Sequence, residues 1–195
     1  MANIYGPPYH SEEVYRSLKQ CGEGTKLYAW ARLAKPGEIS IGRGAQVDDF
    51  AILSGGGGLE VGDRVHIASY SSIVGGGEAV LADFSGLAAG CRIITGSEDF
   101  MGEGMTNPCV PDEYRSFKRS RTVIERHALL FTNVIVFPGV TVAEGCVIGA
   151  NTVVSTDTEP WGVYVERGGR MTRVRDRPRD QILRYERECV EKYGY

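Results

Sequence analysis

Of the three histidines in this 195-residue chain, His66 is the one whose neighbours suit proton transfer. It directly precedes Ile67, a member of a regular apolar series. If Ile67 points inward on a strand, His66 must point outward. An imidazole near neutral pKa is a suitable general base for a hydroxyl or an amine. His10 lies in a Pro/Tyr-rich stretch and carries no comparable argument. His127, three residues before Leu130, falls near a bend, where it either serves a site or is simply solvated. Asp49, Tyr70, Asp99 and Asn107 are chemically suited to a hydroxyl-rich ligand. Tyr70 adds a stacking face, and Asp99 is also suited to orienting a histidine. The Walker loop, the dinucleotide GxGxxG after a strand, the serine nucleophile elbow and the HExxH zinc pattern are all missing.

The apolar series that orients His66 has a period of six. Three successive 20-residue blocks carry it at Ile41, Val47, Leu53; Val61, Ile67, Ile73; and Leu81, Leu87, Ile93. It resumes without slips at Ile124, Leu130, Val136, Val142, Ile148 and Val154. Six is neither a helical period nor the two of a long strand. It predicts an all-β fold, a parallel β-helix of hexapeptides in which three short strands close one triangular coil. Coils should stack at about 4.8 Å. The runs Gly55–Gly58 and Gly75–Gly77 then supply the two extra residues at one corner of successive coils, where tight turning favours glycine. In the column of His66 the neighbouring coils carry Gln46 and Gly86, so a recess is expected beside the imidazole.

A single domain is expected: an N-terminal cap over 1–36, the β-helix over 37–158, and a C-terminal tail and helix over 159–195. Ser11 followed by Glu12 and Glu13 starts a helix that VYRSLKQC continues. Pro178 opens a second helix, with Ile182, Leu183, Tyr185, Cys189, Val190 and Tyr193 as its packing face. Between Ile93 and Ile124 the period breaks, and a loop over 95–121 is acidic at its start and basic at its end. Loops of this length in compact domains are uncommon and often functional; this one is expected to cover substrate or bridge subunits. Formal charge is −3 with no basic excess, so nucleic acid is not an expected partner. No basic-then-apolar leader and no span-length apolar run is present, so no membrane span is expected. Five cysteines, odd in number and without a CxxC pair, suggest neither a disulfide framework nor a zinc knuckle. A reduced, cytoplasmic protein without a metal is the expectation.

The segments VDDFAILSG, VHIASYSSIVGGGEAV, SEDFMGEGMTNPCVPDEYRS, FPGVTVAEGCVIGANTVV and EPWGVY resemble the left-handed β-helix hexapeptide-repeat acyltransferases. More narrowly they resemble bacterial sugar O-acetyltransferases of the galactoside acetyltransferase type and relatives in surface-polysaccharide clusters. The resemblance covers about 40 to 177. It implies a left-handed coil and a homotrimer with acetyl-CoA bound in clefts between subunits. By position it implies pantetheine contacts at Thr132 and Ala150, with Ser155 and Thr156 near the nucleotide end of the cofactor. It also implies phosphate contacts at Arg170 and Arg173. Two departures stand out. Galactoside-type members place a catalytic histidine after a TG pair at the start of the long loop, where this chain has Thr95-Gly96-Ser97-Glu98-Asp99. VERGGRMTR also stands where relatives have a GxPAK-like stretch.

The expected activity is therefore transfer of acetyl from acetyl-CoA to a sugar hydroxyl in a ternary complex, with His66 as base. The alternatives are N-acetylation of an amino sugar on a nucleotide carrier, or a non-catalytic trimeric scaffold.

Overall fold

The computed structural model describes residues 8–194. Residues 1–7 and 195, which include the start of the expected cap and the stretch read for a leader, lie outside the described residues.

The period of six closes the chain into a parallel β-solenoid with three faces. The first face stacks Gln20–Cys21, Ile39–Ile41, Gly58–Val61, Glu78–Leu81, Arg121–Ile124 and Thr141–Val142. The second stacks Lys26–Leu27, Gln46–Val47, His66–Ile67, Gly86–Leu87, Leu129–Leu130 and Val147–Ile148. The third stacks Arg32–Ala34, Ile52–Ser54, Ser72–Val74, Arg92–Ile94, Ile135–Val136 and Val153–Val154. Triangular coils of hexapeptides in parallel register are the architecture of the left-handed β-helix. Every apolar position of the series is buried, none more than 4% exposed. Burying each such side chain contributes roughly 1.5–3 kcal/mol before chain entropy is counted. Alanine, serine, cysteine, valine and threonine line the inner corners, among them Ala51, Ser71, Cys91, Val134 and Thr152, because a larger side chain would not fit the bend.

The glycine runs lie at the corner between third and first faces, but two physical needs are met there. Gly75 turns at φ 117°. Gly77 is demanded by close approach: a Cβ there would lie 2.2 Å from the Thr95 carbonyl and 2.3 Å from that of Ser120. Those carbonyls are the two roots of the long loop, which leaves and re-enters at this corner.

Several boundaries differ from the sequence reading. The first coil begins at Gln20, inside the segment expected as cap, and the leading helix α1 is only Glu12–Ser17. VYRSLKQC therefore does not stay helical: Gln20 and Cys21 pair with Ser40 and Ile41 instead. The tail holds a hairpin, Gly162–Arg167 with Arg170–Asp176, that prolongs the second face. The closing helix α2, Arg179–Tyr193, does follow Pro178. Its inner side is Ile182, Leu183, Glu186, Cys189 and Val190, whereas Tyr185 and Tyr193 are 50% and 62% exposed and face outward. The long loop is also not devoid of structure. Gly96–Glu98 and Phe117–Arg119 pair antiparallel, and Arg115 bridges Glu98 at 2.5 Å and Asp112 at 2.6 Å.

Candidate functional site

His66 stands on the second face in register with Gln46 before it and Gly86 after it. Strand alternation buries Ile67 and leaves the imidazole half exposed. Its Nε2 lies 2.9 Å from Oδ2 of Asp48, and the other oxygen, Oδ1, accepts from the Gln46 amide at 2.8 Å. The carboxylate is thus held on one side by Gln46 and on the other meets the ring. A carboxylate in that place fixes ring orientation and stabilises the imidazolium formed when the ring takes a proton. Because Val47 points inward, both of its neighbours point outward; that alternation is the sequence signal for Asp48, which a reading of single residues misses.

Next to His66 the wall is hollow. A groove of about 470 Å³ is lined by His66, Arg64, Ala68, Gly86, Ala88 and Leu129 along the face. Phe84, His127, Phe131 and Arg177 close its sides. Gly86 makes the floor: a Cβ there meets only the Leu129 Cδ1, at 3.2 Å, so the recess exists because this position has no side chain. The imidazole therefore stands beside an open groove with a small-residue floor, suitable for a flat or narrow substrate segment.

His127 is claimed by structure. It is 8% exposed, its Nε2 lies 2.7 Å from Glu186 Oε2, and its ring stacks on Phe84 at 5.3 Å. Arg126 bonds the same glutamate. Together they clamp α2 onto the corner between first and second faces. Glu186 carries no signal in the sequence, since its partners lie about 60 residues away.

Asp99 is not beside His66. It lies at the start of the long loop, 2% exposed, and its Oδ2 accepts the backbone N–H groups of Met101, Gly102 and Glu103 at 3.1, 2.9 and 2.8 Å. Burial works to raise its pKa, but these three donors and Lys118 outweigh it and hold the carboxyl below the usual range. Asp99 ties the loop, and the carboxylate that orients His66 is Asp48. Asp49 and Tyr70 share the corner after the second face. Asp49 Oδ1 accepts from the Trp30 N–H at 2.9 Å. Tyr70, 61% exposed, stacks on Phe50 at 5.2 Å, which stacks in turn on Trp30 at 6.3 Å. Asn107 is exposed in the loop, where its Oδ1 accepts from the Cys109 N–H.

Known proteins share the overall fold. AntD, an N-acyltransferase from Bacillus cereus whose structure holds dTDP and 3-hydroxybutyryl-CoA, superposes with TM-score 0.86 at 27% identity, covering 96% of this chain and 99% of that one. A variant of AntD in complex with dTDP-4-amino-4,6-dideoxyglucose and coenzyme A gives the same TM-score over 96% and 100%. The dTDP-4-amino-4,6-dideoxy-D-glucose acyltransferase of Escherichia coli is 38% identical over 69 residues, which is 35% of this chain. That match spans 36% of the Escherichia coli protein's length. The chain is thus similar in fold to hexapeptide-repeat acyltransferases. A hexapeptide-repeat acetyltransferase of Vibrio cholerae, in complex with acetyl coenzyme A, shares the fold at 17% identity and TM-score 0.54. No family model matches the chain. Among the described residues no helix is long and apolar enough to cross a membrane.

The positions expected for coenzyme A lie on the later coils. Thr132 and Ala150 are exposed at one corner of successive coils, and the Thr132 carbonyl accepts from the Asn151 N–H at 2.9 Å. Ser155 and Thr156 are exposed just after Val153–Val154. Arg170 opens the outer strand of the tail hairpin, exposed. Arg173 differs: it bonds Glu159 at 2.6 Å and Asp176 at 2.7 Å, and the Asp176 bond is the main reason its pKa is raised. Two carboxylates already answer its charge, so it is a poorer phosphate ligand than Arg170.

Proposed function

We propose that this protein transfers an acyl group from an acyl-CoA thioester to the amine of a nucleotide-linked amino sugar. The observation that carries the reading is an outward histidine, held by Asp48, over a groove floored by Gly86. It is joined by full-length likeness to an N-acyltransferase whose structures hold dTDP-linked amino sugar and coenzyme A. The missing loop histidine, a departure from galactoside-type enzymes, fits an acceptor that is intrinsically more nucleophilic than a hydroxyl.

In this reading the amine nitrogen attacks the thioester carbonyl, forming the C–N bond. His66 accepts the proton released from nitrogen, and Asp48 stabilises the imidazolium. Collapse of the tetrahedral intermediate breaks the C–S bond, and the departing thiolate takes up a proton to leave as free CoA. Acetyl-CoA is the donor expected from the sequence. Thr132, Ala150, Ser155, Thr156 and Arg170 would lie along the cofactor, and Asp49 and Tyr70 would flank the acceptor. A homotrimer would complete each cleft with a neighbouring subunit. Exposed apolar side chains on the third face, Ile52, Val74 and Val153, and Phe137 just after its strand Ile135–Val136, support such burial.

The test is release of free thiol from acetyl-CoA across three acceptor sets: plain sugars, free amino sugars, and dTDP-linked 4-amino sugars. Release with the dTDP-linked amine alone is expected. Equal release with plain sugar hydroxyls would return the assignment to O-acetylation.

A further inference from the structure

Arg177 lies in the same groove as His66 and is the half-buried cation there for which the structure shows no answering carboxylate. Its Nη1 donates to the carbonyls of His127 at 2.6 Å and Gly145 at 3.2 Å. Neither its Nε nor its Nη2 makes a hydrogen bond among the described residues. Burial pulls its pKa down, with Cys146 opposing. Other arginines are answered differently: Arg126 shares Glu186 with His127, and Arg173 has Glu159 and Asp176. A guanidinium removed from water without a counter-charge is costly, and such a group facing a cavity is relieved when an anion arrives. The groove it faces is about 470 Å³, within the size of a small-molecule site. Its floor is made of small residues, Ala68, Gly86 and Ala88, and Phe131 stands at its side, 44% exposed.

We propose that this groove is a diphosphate-binding site in which the free edge of Arg177 pairs with phosphate oxygens and so holds a nucleotide-bearing substrate against His66. The proposal rests on the acyl-transfer reading for its ligand. Both substrates of that reading carry a diphosphate, the nucleotide-linked sugar and coenzyme A. The planar guanidinium fork suits two phosphate oxygens, and its fixation by the His127 and Gly145 carbonyls leaves little entropy to lose. Nothing in the sequence marks Arg177 among the many arginines of the tail; only the fold sets it apart.

The experiment is calorimetric titration of dTDP, coenzyme A and inorganic pyrophosphate into the wild-type chain and into Arg177→Gln, Arg177→Lys and the exposed control Arg187→Gln. At least a tenfold loss of dTDP affinity in Arg177→Gln, partial recovery in Arg177→Lys and none lost in Arg187→Gln is expected. If coenzyme A is weakened in place of dTDP, the site stands and the diphosphate is the donor's. Because Arg177 also tethers the tail, Ala89→Glu provides a second arm: Ala89 also lines the groove and is exposed, so the substitution adds a carboxylate there without touching those bonds and should weaken the same ligand. Unchanged affinity for both nucleotides in Arg177→Gln and Ala89→Glu would overturn the proposal, as would failure of the wild type to bind any of the three. Loss of nucleotide binding in a chain that acylates no amino sugar would overturn the transfer reading and leave the site.

Discussion

At the scale of single residues the proposed chemistry rests on a histidine, the carboxylate beside it and the glycine next to it. Asp48→Asn keeps a hydrogen-bonding side chain at His66 but removes the negative charge that stabilises the imidazolium. It should lower kcat about tenfold or more while leaving KM for acyl-CoA near its wild-type value, as steady-state kinetics would show. Gly86→Ala should fold, because its Cβ meets only the mobile end of Leu129, yet Gly86→Leu should fill the groove and raise KM for the acceptor. The thiols give a separate check. Cys91 is buried and its pKa is pushed up to about 11 by loss of water, while Cys109 is exposed. Cys109 should react with a thiol reagent in the native protein and Cys91 only on unfolding. The linkage sign follows: above the ordinary thiol pKa of 9.0 the unfolded chain ionises Cys91 and the folded chain does not. This group's contribution is therefore intact below pH 9 and is lost as pH rises toward 11. The outward pose of His66 and its neighbours Gln46 and Gly86 are legible in the sequence because they follow from one period. Asp48 is placed by the same period, but its role needs the register of two coils, whereas Asp99 stands out only by its position in the loop.

At the scale of elements two attachments decide what the appendages can do. The long loop is tied at its start by Asp99, whose one oxygen serves three N–H groups. Asp99→Ala leaves those donors without a protein acceptor. Limited proteolysis should then cut the loop at Arg115 or Lys118 much faster than in wild type, with the solenoid intact. The tail helix is clamped by Glu186 on Arg126 and His127. Glu186→Ala strands both, one of them nearly buried, and should cost about 1–3 kcal/mol of local stability. Hydrogen exchange in 182–190 should speed up while the coils stay protected. These attachments are not legible in the sequence: the helix period and Pro178 reveal α2, but a partner some 60 residues distant leaves no local trace. The same limit explains Tyr185 and Tyr193, apolar enough to suggest a packing face yet turned outward once Glu186 takes the inner position.

At the scale of the molecule, the fold is a set of identical demands repeated every coil, which is why its fifteen apolar positions are legible in the amino-acid order alone. Each contributes alike, so Ile67→Ala, at a fully buried site, should cost about 2–5 kcal/mol in chemical denaturation. Six-residue regularity fixes which residues face out, but not what the outer faces meet. The exposed apolar side chains of the third face and the proposed trimer belong together: light scattering should give three times the chain mass, and Phe137→Asp should reduce it. The most decisive experiment joins site to activity. Free-thiol release from acetyl-CoA is measured with a dTDP-linked 4-amino sugar, for wild type and His66→Ala side by side. Turnover by wild type is expected, with a loss of about a hundredfold or more in kcat for His66→Ala. Undiminished turnover in His66→Ala would contradict the assignment of His66 as the base.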